Sequence, residues 1–321
     1  MKMEDEVPVI DLAGTQDDAG LKSVGAQIAK ACEEWGFFQI INHGVDLSLM
    51  DRIQEAYREF FYLPPEEKQK YLVDDQFQGW CCPEMSGHAR VKKIGLITPE
   101  TCEYMYHDVL YGDPDRQNLV PPNPPALRAT VLEYATQVRA LQERVLAALS
   151  QELGLEADAL RRLFAPADVG IRANFYPLKT DDNTVGVLPA HSDAPVFTFL
   201  LADKVPGLEI RRHGRWMQVE PLQNAFIVNV ADCLEVVSNG RFKSVEHKGG
   251  GNEGRERISI GAFYNPARAA TIGPVAQLLD ESSRRPRYGS ARFADLQDQL
   301  VAKGVHGKRY VEALKIPVEG S

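Results

Sequence analysis

The sequence predicts a mainly β protein, a β-sandwich or jelly roll, flanked by helices. From about residue 170 onward, short β-branched or aromatic runs alternate with turn signals, so that six or more strands fit into roughly a hundred residues. No helical run separates these strands, which favours a sandwich or jelly roll over a βαβ sheet. The N-terminal half instead has apolar residues at helical spacing. A helical region should therefore precede the β core and pack on it.

Helices and two short strands are predicted for the N-terminal half. In chain order these are a strand at 7–13, a helix at 21–35, a strand at 36–45 and a helix at 47–61. Pro64 and Pro65 end the last of these helices or begin the next one. The region from about 70 to 124 is rich in proline, glycine and aromatic residues and predicts irregular structure. Residues 125–163 predict a long helix, stopped at Gly154, and a short second helix.

The C-terminal half supplies the strands of the predicted core. The runs that predict strands are, in order, "IRANFYP", "VFTFLLAD", "PGLEIRRHGRWMQVE", "NAFIVNVAD", "LEVVSNGRFKSVEH" and "ERISIGAFYNP". His213-Gly214 and Asn239-Gly240 are predicted hairpin turns. The tail from about 290 to 315 predicts helix again.

We expect two regions that pack as one compact unit, because no repeat or clear linker interrupts the chain. Residues 1–124 should form an N-terminal helix and strand region. Residues 125–321 should hold the long helix, the jelly-roll core and the C-terminal helix.

Composition argues against several classes of partner. The 321 residues carry a net charge of −9 and have a pI near 5.4, unlike a nucleic-acid or anionic-membrane surface. No apolar run reaches the ~20 residues that a membrane helix needs, and the acidic N-terminus lacks a signal-peptide core. The five cysteines are scattered and odd in number, unlike a secreted disulfide scaffold. We therefore expect a reduced, monomeric, cytoplasmic protein that binds neither nucleic acid nor membranes.

The stretch "LPAHSDAPVFTFLL" at 188–201 places a histidine and an aspartate two residues apart. Alternate residues of a strand share a face, so His191 and Asp193 point one way, while Ser192 points away and has no predicted role. Three consecutive extended residues cannot make the contacts of a Ser-His-Asp triad, and no GxSxG elbow is present. An imidazole beside a carboxylate suits a divalent metal that takes a third ligand from elsewhere. The alternative is that His191 and Asp193 cap a turn.

His247 is the third ligand that the sequence favours. It follows several strands and a predicted hairpin, about fifty residues after Asp193, far enough for the chain to cross the fold and return. The other histidines outside the aromatic stretch fall in turns, irregular structure or the C-terminal segment: His43, His88, His213 and His306. Two histidines and one aspartate would form a facial triad, which leaves three coordination positions open and suits Fe(II).

A second constellation predicts an anion receptor. In "GRERISIGAFYNP", Arg257 and Ser259 share one face of a strand. A guanidinium binds a carboxylate through two parallel hydrogen bonds, each worth about 1.5–3 kcal/mol net. Arg255 has the same parity but lies nearer the turn. The alternative is a surface arginine paired with Glu253 or Glu256, which would contribute little.

A third pair on one strand face is Asn174 and Tyr176 in "IRANFYP". Both side chains can hydrogen-bond a bound acid. The alternative is a tyrosine at the rim of a pocket.

Assembled, these motifs resemble the plant-type Fe(II)/2-oxoglutarate-dependent dioxygenases. The matching stretches are, in order, "VPVIDL", "ACEEWGFFQIINHGV", "NFYP", "HSD", "PGLEI", "NAFIVNVADCLEVVSNGRFKSVEH" and "RISIGAFYNP". They extend from residue 7 to about 315. The order H-x-D, H, R-x-S is highly specific, whereas "HSD" alone is not.

The resemblance implies a double-stranded β-helix core with flanking helices. It assigns Fe(II) to His191, Asp193 and His247, and 2-oxoglutarate to Asn174, Tyr176, Arg257 and Ser259. The iron would be chelated by the 1-carboxylate and 2-keto oxygens of 2-oxoglutarate, whose far carboxylate would rest on the Arg-Ser pair. The implied reaction uses dioxygen to hydroxylate or desaturate a small molecule and releases succinate and carbon dioxide, with ascorbate as a candidate reductant.

The resemblance also places substrate contacts before the long helix, after R-x-S and on the C-terminal helix. The candidates are Tyr104, Tyr106, His107, Phe197, Phe263 and Asn265. Aromatic walls with a few polar groups suit a flat phenolic or hormone-sized ring system, and we predict a flavonoid-like substrate. Arg292 is the only arginine of "SARFADLQDQLVAKG", which favours a neutral substrate over an anionic one. The alternative for each candidate is core packing.

Two other interpretations of the same residues stay open. Some relatives keep the iron but use no 2-oxoglutarate, and in them R-x-S would clamp a substrate carboxylate. A jelly-roll zinc hydrolase could also use the three ligands around a metal-bound water, although R-x-S would then have no role.

Overall fold

A computed structural model of the chain describes residues 6–13, 18–74, 78–82, 102–109, 120–178, 187–250, 254–279, 285–303 and 309–317. Within these ranges the strands form two sheets and a short two-stranded ribbon, and helices pack on the larger sheet. The predicted fold, a jelly-roll core with flanking helices and a helical N-terminal region, is confirmed.

The strands are, in chain order, β1 (Val9–Asp11), β2 (Phe37–Ile41), β3 (Gly79–Cys81), β4 (Glu103–Val109), β5 (Asp168–Tyr176), β6 (Val187–His191), β7 (Phe197–Ala202), β8 (Leu208–Arg212), β9 (Arg215–Val219), β10 (Phe226–Val230), β11 (His247–Gly250), β12 (Arg257–Asn265), β13 (Thr271–Ile272) and β14 (Ala291–Arg292). The larger sheet has the order β1-β2-β10-β7-β12-β5-β4-β3, and the smaller sheet has the order β6-β11-β8-β9. Among the described strands, β1 and β2 alone pair in parallel.

The helices are α1 (Asp18–Glu34), α2 (Leu47–Phe61), α3 (Pro65–Lys68), α4 (Leu127–Glu152), α5 (Ala159–Phe164), α6 (Asp232–Val237), α7 (Phe293–Lys303) and α8 (Arg309–Leu314). The predicted helices at 47–61 and 125–163 are confirmed, and Gly154 follows α4 with a left-handed φ of +74°. Pro65 begins α3 rather than ending α2.

Strand β12 shows how the larger sheet separates two environments. Ile258, Ile260 and Tyr264 point into the main hydrophobic core, which they share with side chains of α1, α2 and α4. The alternate residues, from Arg257 to Asn265, point to the opposite side, toward the smaller sheet. The side-chain amide of Gln142 in α4 donates to the Ala262 carbonyl at 2.9 Å and fixes the long helix on this strand.

The two sheets pack face to face through a second, smaller apolar cluster. Phe37 and Ile227 of the larger sheet contact Leu208, Ile210 and Val219 of the smaller one. This contact seals one end of the space between the sheets. The rest of that space is available for a cavity.

The prediction of irregular structure for residues 70–124 is wrong for the part that the structure describes. Strands β3 and β4 lie there and extend the larger sheet: β4 pairs with β5, and β3 pairs with β4. Polar residues in "EYMYHDV" obscure the strand in sequence. Pairing with a strand some seventy residues downstream stabilises it, and such non-local pairing leaves no local signal.

The prediction of a hairpin at Asn239-Gly240 is also wrong. The preceding run forms helix α6, and the two residues end it with φ of +52° and +80°. The Gly240 amide donates to the Glu235 carbonyl at 2.8 Å. Asn-Gly tolerates left-handed backbone equally at a helix end and in a type I′ turn, so the dipeptide alone does not distinguish them. The His213-Gly214 turn between β8 and β9 is confirmed.

Gly36 joins α1 to β2 at a point where no side chain fits. Its φ is +65°, and a Cβ there would overlap the Lys243 carbonyl oxygen and approach a Val245 methyl to 2.7 Å. Lys243 and Val245 precede β11, so this close approach also sets the path of the chain toward His247.

We expect Gly36→Ala to lower the free energy of unfolding by more than about 3 kcal/mol, because it combines left-handed strain with a backbone clash. Gly154→Ala is the matched control: its φ is +74°, but nothing lies within 4 Å of the added Cβ. That variant should lose only about 1 kcal/mol. Urea denaturation of both proteins measures the difference, and equal losses would show that the Lys243 contact is unimportant.

Candidate active site

A cavity of about 580 Å³ lies between the sheets. Ligand sites fall in the range of roughly 300–1,000 Å³ and combine apolar walls with a few convergent polar groups. The seven residues predicted for metal and co-substrate all line it: Asn174, Tyr176, His191, Asp193, His247, Arg257 and Ser259.

Three potential metal ligands meet at one wall of this cavity. His191 ends β6 and His247 begins β11, and the two residues are register partners in the smaller sheet. Asp193 follows β6 by two residues. Its Oδ1 lies 3.4 Å from His191 Nε2 and 3.7 Å from His247 Nε2. The ligand atoms of all three lie within 4.8 Å of one another, and the three side chains are buried.

Backbone contacts define which ring nitrogens face the centre of this cluster. His191 Nδ1 lies 2.7 Å from the Pro189 carbonyl, and His247 Nδ1 lies 3.1 Å from the Val245 carbonyl. A carbonyl only accepts, so each Nδ1 carries a proton and each ring turns its Nε2 toward Asp193. Metal-binding histidines are oriented in this way.

The electrostatics of the cluster favour a cation. Burial lowers the pKa of His247 to about 4, an effect larger than the opposing one of Asp193, so the ring is neutral at pH 7. The lone pair on His247 Nε2 therefore faces an oxygen lone pair of Asp193, and the two side chains do not form an ion pair. A divalent ion is the group that would make three converging donors favourable.

Two neighbouring strands hold the second oxygen of Asp193. Thr198 Oγ1 in β7 and Asn229 Nδ2 in β10 donate to Oδ2 at 2.6 Å and 2.9 Å. Oδ1 is thereby the oxygen presented to the histidines. A polar side chain inside "FIVNV" is the sequence signal that could have revealed Asn229.

A buried carboxylate links the two ligand-bearing segments. Asp232 at the start of α6 accepts hydrogen bonds from Ser192 Oγ at 3.1 Å and Ser244 Oγ at 2.6 Å. Its own amide donates to the Asp193 carbonyl at 2.8 Å. Ser192 faces away from the three potential metal ligands, as predicted, but its hydrogen bond to Asp232 gives it a structural role. Asp232 holds the segment containing Asp193 against the segment that leads to His247.

Arg257 is a buried cation without an ion-pair partner among the described residues. The residue is 2% exposed, and its Nε and Nη1 donate to the Val205 and Gly250 carbonyls, each at 3.2 Å. A Cβ at Gly207 would lie 2.7 Å from Nε, so the glycine makes room for the side chain. The alternative of a surface arginine is wrong, because Arg257 is buried and Glu256 pairs with Arg58 instead.

Ser259 and Tyr176 adjoin this guanidinium. Ser259 follows Arg257 on the inward face of β12, and the guanidinium carbon lies 4.8 Å from the centre of the Tyr176 ring. Asn174 is close by but engaged: its Oδ1 accepts from Arg172 Nε at 2.8 Å. Arg172, which the sequence analysis did not single out, also stacks on the Tyr104 ring at 4.0 Å.

The cavity includes four of the six predicted substrate contacts and leaves out two. Those that line it are Tyr104, Tyr106, Phe263 and Asn265. His107 points from the opposite face of β4, where its Nε2 lies 2.8 Å from the Tyr57 hydroxyl in the helical core. Phe197 packs against Phe199 and Tyr264. Adjacent residues of a strand point to opposite faces, so Tyr106 and His107 cannot both line the cavity. The sequence predicts irregular structure for this segment, and the rule could not be applied there.

Among the described residues, His43 and His213 do not line this cavity. His43 is buried and bonded to backbone groups, as expected, and His213 is exposed in its turn. His88 and His306 lie outside the described residues. All five cysteines are buried and free of disulfide bonds in the structure.

No helix among the described residues is both long enough and apolar enough to cross a membrane.

Family models and relatives match the chain over most of its length. The model described as "non-haem dioxygenase in morphine synthesis N-terminal" matches residues 7–124, and the model "2OG-Fe(II) oxygenase superfamily" matches residues 167–266. Jasmonate-induced oxygenase 4 of Arabidopsis thaliana is 36% identical over 96% of this chain and 86% of its own length. Oxoglutarate-dependent flavonoid 7-O-demethylase 1 of Ocimum basilicum is 31% identical over 97% and 82%.

Solved structures agree with this placement. The crystal structure of JOX2 in complex with 2OG, Fe and JA superposes with a TM-score of 0.85 at 31% identity, covering 97% of this chain and 90% of that one. The dioxygenase for auxin oxidation in rice has a TM-score of 0.77 at 24% identity, covering 97% and 100%, and so supports the fold alone. The predicted resemblance is confirmed: the protein belongs to the 2OG-Fe(II) oxygenase superfamily and is an oxidoreductase that uses Fe(II) and 2-oxoglutarate.

Proposed function

We propose that His191, Asp193 and His247 hold the Fe(II), and that Arg257 and Ser259 bind the far carboxylate of 2-oxoglutarate. The observation that carries this proposal is the buried Arg257 guanidinium, which has only two neutral carbonyls as hydrogen-bond partners among the described residues. A buried charge is costly unless an opposite charge compensates it. A dicarboxylate co-substrate supplies that charge when it binds.

The donor set fits Fe(II). Two imidazole nitrogens and one carboxylate oxygen form a facial triad, which leaves positions for the co-substrate and for dioxygen. Bound together, the iron and 2-oxoglutarate supply the oxidising chemistry, in which dioxygen is consumed and succinate and carbon dioxide are released. A zinc hydrolase fits less well, because zinc favours tetrahedral nitrogen and sulfur ligands and leaves Arg257 without a role.

The protein's own residues position the reactants and exclude water. The Val205 and Gly250 carbonyls fix the plane of the Arg257 guanidinium, so that its Nη2 is left for a carboxylate oxygen. The Ser259 hydroxyl can donate to the same carboxylate. Tyr176 lies against the guanidinium and narrows this end of the cavity. Asn174, already bonded to Arg172, supports the co-substrate indirectly.

We propose a small aromatic metabolite as substrate, with a flavonoid-like ring system favoured. Tyr104, Tyr106 and Phe263 give the cavity aromatic walls, and Asn265 adds a polar contact. Two similar proteins have names that refer to flavonoids: the 7-O-demethylase above and flavanone 3-dioxygenase 2 of Oryza sativa subsp. japonica, 34% identical over 86% of this chain and 78% of its own length.

A carboxylated substrate is a second candidate, and Arg172 favours it. This cavity-lining guanidinium has no carboxylate partner among the described residues; its contacts are Asn174 and the Tyr104 ring. Arg268 also lines the cavity but lies 3.6 Å from the Asp298 carboxylate. Arg292 no longer bears on the choice between a neutral and an anionic substrate, because it is exposed and paired with Asp295.

Three expectations about the whole protein stay predictions: its monomeric state, its cytoplasmic location and the division of the chain at residue 124.

We expect Arg257→Ala to raise the KM for 2-oxoglutarate by at least about 100-fold, the equivalent of losing two charge-assisted hydrogen bonds. Arg255→Ala is the matched control, since Arg255 lies two residues earlier and is exposed; its KM should not change. Succinate release at varied 2-oxoglutarate measures both. Oxidised product without succinate would favour the iron oxidase that does not use 2-oxoglutarate.

We expect Asp232→Asn to weaken Fe(II) binding by about tenfold. The NH2 group of an amide only donates, so the asparagine side chain could accept a hydrogen bond from one of the two serines but not from both. Ser192→Ala and Ser244→Ala should each have a smaller effect. Equilibrium Fe(II) binding under nitrogen, without turnover, provides the readout. Asp46→Asn, at the N-cap of α2, serves as the control. An unchanged iron affinity in Asp232→Asn would contradict a positioning role.

A further inference from the structure

A polar cluster occupies one end of the cavity and is not used by the metal or by the co-substrate. It consists of Gln78, Tyr106, Asp108 and Asn265, and we refer to it as the Asp108 cluster. The Tyr106 hydroxyl donates to Asp108 Oδ1 at 2.6 Å, and Gln78 Nε2 donates to Oδ2 at 2.9 Å. Asn265 Nδ2 lies 3.3 Å from Oδ1 and 3.4 Å from the Tyr106 hydroxyl oxygen. All four residues line the cavity.

Gly170 makes room for this cluster. A Cβ at this position would lie 2.5 Å from the Tyr106 hydroxyl, 2.8 Å from Asn265 Nδ2 and 3.1 Å from Asp108 Oδ1. Side chains from two strands, β4 and β12, thus converge over one residue of β5 that has no side chain of its own. The fold therefore provides space for this arrangement at the cavity wall.

The donors of the cluster are used internally, and acceptors remain. The Tyr106 hydroxyl proton and the Gln78 amide both serve the Asp108 carboxylate. Asn265 must turn its NH2 group toward the carboxylate, because its carbonyl oxygen would repel Oδ1 there. No described residue donates to that carbonyl oxygen, although Asn265 is only 7% exposed. A ligand at this end of the cavity therefore meets the Asn265 carbonyl oxygen as an acceptor.

The cluster lies away from the co-substrate clamp. Arg257 begins β12 and Asn265 ends it, and both point to the cavity side. Phe263, between them, has its ring centre 6.2 Å from that of Tyr106. Arg172, whose contacts are Asn174 and Tyr104, does not satisfy the acceptors.

We infer that the substrate places a hydroxyl group at this end of the cavity, where it donates a hydrogen bond to Asn265 Oδ1 of the Asp108 cluster. This rests on the proposed function, in which the same cavity holds the substrate. It applies to an aromatic or a carboxylated substrate alike. A methyl ether at the same place would bring an oxygen lone pair against acceptors and leave the buried groups unpaired, so the site should reject it.

Matched small probes test this inference without knowledge of the full substrate. Phenol, anisole and benzylamine are titrated by calorimetry into the protein loaded with Fe(II) and 2-oxoglutarate under nitrogen. We expect phenol to bind at least about tenfold more tightly than anisole, the difference that one hydrogen bond makes. Asn265→Ala and Gly170→Ala should reduce that preference to below about threefold. Gln297→Ala, which removes another amide that lines the cavity, should leave the preference unchanged.

Several results would overturn the inference: no binding of phenol, equal binding of phenol and anisole, or the same loss of preference in Gln297→Ala. Tighter binding of benzylamine than of phenol would also overturn it, because the site would then bind an ammonium group and not a hydroxyl group. The heat of 2-oxoglutarate binding, measured in the same cell beforehand, separates the two proposals. If 2-oxoglutarate binds and phenol shows no preference, the hydroxyl site alone fails. If 2-oxoglutarate does not bind, the proposed function fails.

Discussion

The pairing of β6 with β11 is the constraint on which the site depends. It sets His191 opposite His247 in one sheet, and Asp193 two residues later brings a carboxylate oxygen within 3.7 Å of both rings. Neither histidine could be moved by one residue without turning its side chain to the other face. The convergence of these three side chains is thus a consequence of strand register. Asp232 stabilises that register by accepting hydrogen bonds from Ser192 and Ser244.

Charge divides the cavity into three parts. A guanidinium lies at the start of β12, where an anion is needed to compensate it. The three converging ligand atoms of His191, Asp193 and His247 lie on the side of the smaller sheet and favour a cation. The Asn265 carbonyl oxygen, at the end of β12, is an acceptor for a hydrogen-bond donor. Under the proposed function, each part would suit a different group: a carboxylate, a metal ion and a hydrogen-bond donor.

The sequence predicts which side chains of the site lie together wherever they alternate along a recognisable strand. Parity alone grouped Arg257 with Ser259 and His191 with Asp193, because alternate residues share a face once the strand is known. It failed for β4, whose existence depends on pairing with β5, and so His107 was grouped with Tyr106 although the two point in opposite directions. Asp108 and Asp232 were missed for a related reason: their roles come from partners brought near by the fold, with no local spacing to reveal them.

The central claim is that one ion, held by His191, Asp193 and His247, binds 2-oxoglutarate beside Arg257. Anaerobic titration of the purified protein with Fe(II) and then 2-oxoglutarate, followed by the visible metal-to-ligand charge-transfer band, tests it most directly. We expect the band to appear only when both are present, to saturate at one equivalent of each, and to be lost in His247→Ala. No band in the intact protein at saturating Fe(II) and 2-oxoglutarate, or an undiminished band in His247→Ala, would contradict the claim.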